Sequence, residues 1–290
     1  MCFSGIIPPE HNEINILCSV HMKRIFRVLS FSWFKGSLIF LSGALIFFFC
    51  LVFAGLILWP EPRALFEALA SEEIRFAIEL SLITSLISTM LCAAIALPVA
   101  YALSRYQFVS SRLMGLIISL PLSLPPLVAG IALLIFFGPS VFGQLIQATG
   151  IDIVYTTSAI IIAQFFVNVP YLIRVMRSAF DSVNPRYEYV ARTLGASEPG
   201  VFFQVSLPMS KQALLAGLTI TWSKAMGEFG AVLMLAGATK MKTETLPIAL
   251  YLNISTGDLD MAIASATILL AISVGTLVIF EYFFGSRRIL

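Results

Sequence analysis

Six long apolar segments restrict the fold of this chain more than any other feature of its sequence. They are Ser37–Trp59, Ile74–Leu103, Leu113–Phe137, Thr157–Met176, Ala213–Leu235 and Met261–Phe284. A helix of this length, rising about 1.5 Å per residue, crosses a hydrocarbon layer of roughly 30 Å. An open strand would leave backbone groups unpaired in lipid, so each segment is expected to be helical. The sequence therefore predicts an all-α integral membrane protein with six transmembrane helices.

The composition points to the same class of protein. Of the 290 residues, 59% are hydrophobic and 12% are charged, and the mean hydropathy is +0.94. Soluble domains carry about 25% charged residues. The formal net charge of +2 is too small to indicate nucleic-acid binding. We therefore expect the chain to contact membrane lipid and no nucleic acid.

Cysteine and histidine usage argues against a metal site, a disulfide framework and histidine-based catalysis in the membrane. The four cysteines are Cys2, Cys18, Cys50 and Cys92, and none forms a CxxC pair. Two of the four lie inside apolar segments, where a disulfide framework is not expected. The two histidines, His11 and His21, both lie near the N-terminus. No cofactor is expected.

Proline distribution singles out the third apolar segment. Pro121, Pro125 and Pro126 fall within it, and each proline removes a backbone hydrogen-bond donor. The segment is therefore predicted to be kinked or broken near these residues.

Basic residues predict the orientation of the chain. The side expected to be cytoplasmic carries 13 of the 18 basic residues: Lys23, Arg24, Arg27, Lys35, Arg105, Arg112, Arg174, Arg177, Arg186, Arg192, Lys211, Arg287 and Arg288. The opposite side carries Arg63, Arg75, Lys240 and Lys242. Cytoplasmic loops of membrane proteins are enriched in Lys and Arg. Both termini are thus predicted to be cytoplasmic, in a multi-pass protein of the plasma or inner membrane.

The sequence before the first apolar segment is predicted to be a cytoplasmic N-terminal segment, residues 1–36, followed by a transmembrane domain, residues 37–286. The acidic, proline-containing start lacks the cationic-then-apolar order of a signal peptide. Met22 begins the more ordinary sequence MKRIFRVLS, so residues 1–21 are expected either to be dispensable or to precede the true start site. The stretch Lys23–Phe34 alternates basic and apolar residues, which suits either an interfacial helix or a flank that anchors the first span.

The polar insert Tyr187–Pro208 lies between the fourth and fifth spans, on the predicted cytoplasmic side. Asn184-Pro185 is a typical helix start, and Gly195 is placed to end that helix. A second short helix is predicted to stop at Leu207-Pro208. One apolar face is expected from Tyr187, Val190, Ala191, Leu194, Val201, Phe202 and Val205, with charges at Arg186, Glu188, Arg192 and Glu198. Such a helix–turn–helix suits a groove in a cytosolic partner, and an ordered loop lying on the bilayer is the simpler alternative.

This insert, about residues 184–208, resembles the EAA loop of ABC importer permeases. The family pattern is Glu-Ala-Ala, three residues, Gly, nine residues, then Ile-x-Leu-Pro. Aligned on Gly195, the chain has Tyr189-Val190-Ala191 at the first positions and Val205-Ser206-Leu207-Pro208 at the last. The acidic residue is displaced by one position, to Glu188. The resemblance implies a loop that couples to an ATPase through Arg186, Glu188, Ala191, Arg192, Leu194, Gly195, Leu207 and Pro208.

Further segments are similar to permeases for molybdate, tungstate and sulfate. They are Ala191–Ser197, Ser206–Pro208, Gly227–Ala231 and Val128–Leu134, and the likeness extends from about Phe76 to the C-terminus. It implies a type I ABC importer permease fold and a homodimer. It also implies two copies of an ATP-binding subunit inside and an extracytoplasmic oxyanion-binding protein outside. The chain has no GxxxxGK[ST] sequence, so no ATP hydrolysis or other enzymatic activity of its own is expected.

Two charged residues in the fifth span are candidates for the translocation pathway. Lys224 and Glu228 are four residues apart, on one face of the predicted helix. A charge at the bilayer centre costs about 3 kcal/mol on insertion scales, so such residues usually face protein or water. A structural role, in which the two charges neutralise each other or partners on neighbouring helices, is the equal alternative to a role in oxyanion transport. Ser123, beside the prolines of the third span, is a further candidate for lining the pathway.

Together these features predict the permease subunit of an ATP-driven importer for a tetrahedral oxyanion, molybdate or tungstate. A sulfate or thiosulfate permease is the nearest alternative. An ATP-independent secondary transporter is a less favoured one, because we find no internal repeat. An intramembrane enzyme would need paired catalytic groups, which the spans lack.

Overall fold

The computed structural model describes residues 10–60, 62–106 and 111–284. Predictions for residues 1–9, for Arg287 and Arg288, and for the side chains of Lys23, Arg24, Arg27 and Arg112 lie outside this description. The chain divides into two units, residues 1–59 and 60–290, each described by itself.

The first unit contains one helix, α1 (Glu10–Leu58). Its part Trp33–Leu58 is long and apolar enough to cross a membrane, and its side chains are largely exposed within the chain. Apolar side chains such as Phe40 and Phe47 are favourable in that position only where lipid or another protein covers them. The helix continues through Ser37, where the first transmembrane segment was predicted to begin.

The second unit contains thirteen α-helices and one π-helical turn among its described residues. They are α2 (Pro62–Ala70), α3 (Glu72–Arg105), α4 (Ser111–Ser123), α5 (Pro126–Phe137), α6 (Val141–Ala148), α7 (Thr157–Ser182), α8 (Pro185–Thr193), α9 (Glu198–Val201), the π turn Phe202–Ser206, α10 (Leu207–Met209), α11 (Lys211–Met226), α12 (Gly230–Ala236), α13 (Leu246–Thr256) and α14 (Leu259–Phe284). The predicted all-α class is confirmed.

The long helices α3 and α7 pack against each other and form the centre of this unit. Small residues of α3, such as Cys92 and Ala96, face large residues of α7, such as Leu172 and Met176. Small side chains let helix backbones approach closely, which drives helix association in membranes. Two further apolar clusters join α5, α7 and α12, and α2, α3, α13 and α14.

The predicted break in the third span is confirmed. Helices α4 and α5 meet at an angle of 111°, across a break at Leu124-Pro125. Pro126 is the first residue of α5, where its missing N–H has no helical partner to lose. Pro121, by contrast, lies inside α4 and does not end it.

The fifth span is also broken, so the prediction of one helix over Ala213–Leu235 was wrong. Helix α11 ends at Met226, and α12 begins at Gly230. Side chains replace part of the backbone bonding that the break removes: Gln164 Nε2 donates to the Ala225 carbonyl at 2.9 Å, and the Ala231 N–H donates to Glu228 Oε1 at 3.0 Å. In the described residues, four helices are individually long enough to span a membrane, and the bent pair α4–α5 makes a fifth candidate.

Candidate functional site

The first part of the site is helix α8, and both of its predicted ends are present. The Asn184 side chain caps the N-terminus by accepting from the Arg186 N–H at 3.0 Å, and Pro185 is the first residue of the helix. At the other end Gly195 has φ +88°, its N–H bonds to the Arg192 carbonyl, and the Ala196 N–H bonds to the Ala191 carbonyl. This pair of bonds is a Schellman motif, which favours glycine at the left-handed position.

Glu188 anchors α8 to the rest of the fold. Its carboxylate is buried, and its Oε1 lies 2.8 Å from Arg105 Nε at the end of α3. Oε1 also accepts from Ser206 Oγ at 2.7 Å, and Oε2 accepts from Tyr101 Oη at 3.4 Å. Arg105 in turn donates from Nη2 to the Val183 carbonyl at 3.0 Å, just before α8. One buried carboxylate thus links α3, α8 and the π turn.

The apolar residues of α8 point away from the fold. Tyr187, Val190 and Leu194 are more than half exposed, and Leu194 reaches 83%. Arg186 and Arg192 are exposed as well, and the Arg192 guanidinium lies 5.8 Å from the centre of the Tyr189 ring. Ala191 is half-buried. The helix therefore presents an apolar surface with basic residues beside it.

The second half of the loop is helical from Glu198 to Met209, so the prediction that Leu207-Pro208 ends it was wrong. The π turn Phe202–Ser206 precedes the proline, and the Leu207 N–H bonds to the Phe202 carbonyl. This wider turn accommodates a residue that has no N–H of its own. Leu207 packs on the α3–α7 cluster, whereas Pro208 is exposed.

The second part of the site lies where the two broken spans meet. A Cβ atom on Gly130 of α5 would lie 2.8 Å from the Ala231 Cα, and one on Gly230 would lie 2.9 Å from the Pro126 Cβ. The breaks at Leu124-Pro125 and at Gly227–Phe229 are thereby brought together. Only glycine permits so close an approach at these two positions.

The predicted pathway residues lie at these breaks, but they do not bond to each other. Lys224 is exposed in the last turn of α11, and its ammonium lies 5.5 Å from the centre of the Tyr171 ring. Glu228 lies beyond the helix end and caps α12, and no salt bridge joins it to Lys224 among the described residues. The two side chains therefore form no direct ion pair, and their charges interact only at longer range. Ser123 is exposed at the end of α4, and its hydroxyl donates to the Leu120 carbonyl at 2.8 Å.

Sequence reasoning missed four residues that hold the site together. Arg105 entered only the count of basic residues, and Tyr101, Gln164 and Ser206 were not considered as site residues. A basic residue at the end of a span, Arg105, is a common feature of membrane helices. Nothing local in the sequence pairs it with a glutamate 83 positions later.

A third polar cluster lies at the end of α3 opposite to Arg105. Lys240 Nζ is 2.7 Å from Glu73 Oε1, and the Glu244 carboxyl contacts Glu73. The Met241 N–H donates to Glu244 Oε2 at 2.9 Å. Burial raises the pKa of Glu244 to about 7, and the Glu73 carboxyl adds to the rise, against the Met241 bond and the Lys240 charge. The loop before α13 is thus tied to the start of α3 by a polar cluster in which one carboxyl, that of Glu244, has a pKa near neutral pH.

Comparison with known proteins places this arrangement in a family. Residues 91–289 match the family described as binding-protein-dependent transport system inner membrane component. The chain is 34% identical to a probable molybdenum ABC transporter permease of Haloferax volcanii, over 88% of this chain and 92% of that protein. It is 38% identical to the molybdenum transport system permease protein ModB of Mycobacterium tuberculosis, over 74% and 80%. It is 30% identical to the sulfate transport system permease protein CysT of Salmonella typhimurium, over 71% and 75%.

Solved structures give the same fold at lower identity. A chain of a bacterial alginate ABC transporter, solved in complex with an alginate pentasaccharide-bound periplasmic protein, aligns with a TM-score of 0.70. That alignment covers 92% of this chain and 98% of the other at 17% identity, so it concerns the fold alone. The chain is a multi-pass membrane protein, and it belongs to the inner-membrane components of binding-protein-dependent transport systems, among the molybdenum and sulfate ABC permeases.

Proposed function

We propose that this chain is the permease subunit of an importer for a tetrahedral oxyanion, molybdate or tungstate. The observation that carries the proposal is 34–38% identity to permeases named for molybdenum, over most of the chain. In this proposal an extracytoplasmic binding protein delivers the anion, and two copies of the chain form a homodimer. Both termini and the α8 loop lie on the cytoplasmic side of the plasma or inner membrane.

Energy reaches the permease through α8. Two copies of an ATP-binding subunit dock on the exposed apolar residues Tyr187, Val190 and Leu194, one on each α8. ATP binding draws the two subunits together and moves α8 with them. Because Glu188 and Arg105 join α8 to α3, and α3 packs on α7, the movement is carried into the spans. ATP hydrolysis then returns the pathway between the spans to its inward-facing state. No covalent chemistry takes place on this chain.

The anion passes the two helix breaks in this mechanism. Lys224 attracts the divalent anion, while Glu228 keeps the attraction weak enough for release. Ser123 offers a hydroxyl beside the break in the third span. Breaks in membrane helices expose backbone groups where they line a cavity, a common arrangement in transporters.

Sulfate or thiosulfate is the alternative cargo, favoured by 30–32% identity to sulfate permeases. These anions share charge and tetrahedral geometry with molybdate. An ATP-independent secondary transporter remains the alternative from another class.

Reconstituted vesicles test the proposal. The permease, its cognate ATP-binding subunit and the external binding protein are assembled, and uptake of radiolabelled molybdate is measured with and without ATP. We expect ATP-dependent uptake that tungstate inhibits more strongly than sulfate. Uptake that is undiminished without ATP would favour the secondary transporter, and stronger inhibition by sulfate would favour the sulfate permease.

A substitution at Gly195 tests the coupling loop, with co-purification of the ATP-binding subunit as the measurement. Gly195→Val forces a β-branched residue into the left-handed region and should disrupt the end of α8. The ATP-binding subunit should then fail to co-purify with the permease. Gly195→Asn is the matched control, because asparagine tolerates this conformation.

A further inference from the structure

A cavity of about 550 Å³ lies between α4 and α7 and contains two arginines that the proposed mechanism does not use. It is lined by Gly115, Leu116, Ser119, Arg174, Arg177, Ser178 and Asp181. Gly115 lies beside one of the arginines, since a Cβ there would be in ordinary van der Waals contact with Arg177 Nη1, at 3.6 Å. The cavity lies toward the end of α7 that leads into α8.

The charges in this cavity are not balanced. Arg174 is exposed and forms no salt bridge among the described residues. Arg177 has one acidic neighbour, Asp181, at a long Nε–Oδ2 distance of 3.9 Å. The other oxygen of Asp181 accepts from Ser104 Oγ at 2.5 Å. The lining of the cavity thus carries two guanidinium groups and one carboxylate, which leaves a net positive charge.

Arg174 lies within α7 rather than at its end. It precedes the end of α7 at Ser182 by eight residues, which is roughly 12 Å along a helix. Its side chain is exposed within the chain, so an anion or water can reach the guanidinium group.

Arg174 and Arg177 also follow Lys224 in the direction of α8. The Lys224 ammonium lies over the ring of Tyr171, which precedes Arg174 by three residues on α7. Each step of three residues advances about 4.5 Å along the helix. The three cations therefore succeed one another along α7 from the break in the fifth span toward α8, with each step of three residues turned by about 60° around the helix.

We propose that Arg174 and Arg177 form a weak binding site for a tetrahedral divalent oxyanion, the last site on the way to the cytoplasm. The guanidinium group presents several N–H donors in a planar fork that suits oxyanions. Ser119 and Ser178 add hydroxyl donors to the same cavity, and Asp181 competes with the ligand for Arg177, which keeps binding reversible. That this site is the last one before the cytoplasm rests on the proposed function. That it binds an oxyanion rests on the residues of the cavity alone.

The same chemistry is offered by free molybdate and by the phosphate of an anionic lipid headgroup. Binding of radiolabelled molybdate to the full permease complex is therefore measured in two nanodisc preparations, without ATP or binding protein. One contains phosphatidylcholine alone, and the other adds phosphatidylglycerol. We assign the site to the free anion, so binding should be similar in both lipids. Molybdate binding that phosphatidylglycerol abolishes would overturn this assignment in favour of the headgroup.

Two variants and a control identify the residues. Arg174→Gln/Arg177→Gln removes both charges and should weaken molybdate binding at least tenfold. Gly115→Leu fills the cavity and should have a similar effect. Lys211→Gln removes an exposed charge at the start of α11 and should bind as the wild type does. Elution volume and melting temperature verify the fold of each variant.

The outcome is independent of whether the chain imports molybdate. Loss of molybdate binding in both variants supports the site even if ATP-driven uptake fails. Equal molybdate binding by the wild type and the double arginine variant overturns it even if uptake succeeds.

Discussion

Glu188 is the residue on which the link between loop and membrane helix most depends. Its ion pair with Arg105 is buried, whereas Arg63 and Glu67 form a pair between the same atom types, at nearly the same distance, in an exposed position. Removing one partner of a buried pair leaves an uncompensated charge and costs about 3–5 kcal/mol, whereas an exposed pair contributes about 0.2–1 kcal/mol. Burial, and not distance, should therefore decide the effect of substitution.

We expect Arg105→Gln to lower the melting temperature of the purified permease markedly and to reduce co-purification of the ATP-binding subunit. Arg63→Gln is the matched control and should change neither. The double variant Arg105→Gln/Glu188→Gln should regain part of the lost stability, because no unpaired charge remains. Equal effects of the two single arginine substitutions would contradict a structural role for the buried pair.

Helix α8 uses different side chains for folding and for docking, because its carboxylate, Glu188, is buried whereas its apolar residues are exposed. Leu194→Gln should therefore weaken binding of the ATP-binding subunit several-fold while leaving the melting temperature of the permease unchanged. Leu207→Gln is the contrasting change, since Leu207 packs on the α3–α7 cluster and its substitution should lower the melting temperature. A fall in stability for Leu194→Gln would show that this side chain packs within the permease.

The loop before α13 should respond to pH through Glu244. Its folded-state pKa of about 7 exceeds the ordinary value of 4.5, so the folded protein retains a proton that the unfolded protein has released. The stabilisation is present in full below about pH 4.5 and is lost as the pH rises through 7. We expect the melting temperature of wild type minus that of Glu244→Gln to fall between pH 5 and pH 8. Glu67→Gln, on an exposed carboxylate, should show no such trend.

The elements differ in how far the sequence alone predicts them. The ends of α8 follow from local signals, an Asn-Pro start and a glycine in the left-handed region, and the break between α4 and α5 follows from two adjacent prolines. The break at Gly227–Phe229 contains no proline. It is stabilised by Gln164, which lies 61 positions earlier than the carbonyl it binds. Distant side chains of this kind decide where a helix ends and which face of α8 is buried, and no periodicity records them.

Two centres are connected through the spans of the molecule: the docking surface on α8, and Lys224 at the break of the fifth span. Glu188 and Arg105 connect α8 to α3, α3 packs along α7, and Tyr171 of α7 contacts Lys224 at the break of the fifth span. In the proposed mechanism, these packed helices carry a shift of α8 to Lys224. Because the two centres consist of different residues, transport and docking should be separable by mutation.

Lys224→Met provides this separation. It keeps the length of the side chain and removes its charge, so uptake of molybdate by reconstituted vesicles should fall at least tenfold. Lys224 is remote in sequence from α8, and the ATP-binding subunit should co-purify in wild-type amounts. Lys211→Met is the matched control, the same substitution at the exposed first residue of α11, and should transport normally. Wild-type uptake by Lys224→Met would exclude this lysine from the pathway, and loss of the ATP-binding subunit would show that it acts on assembly instead.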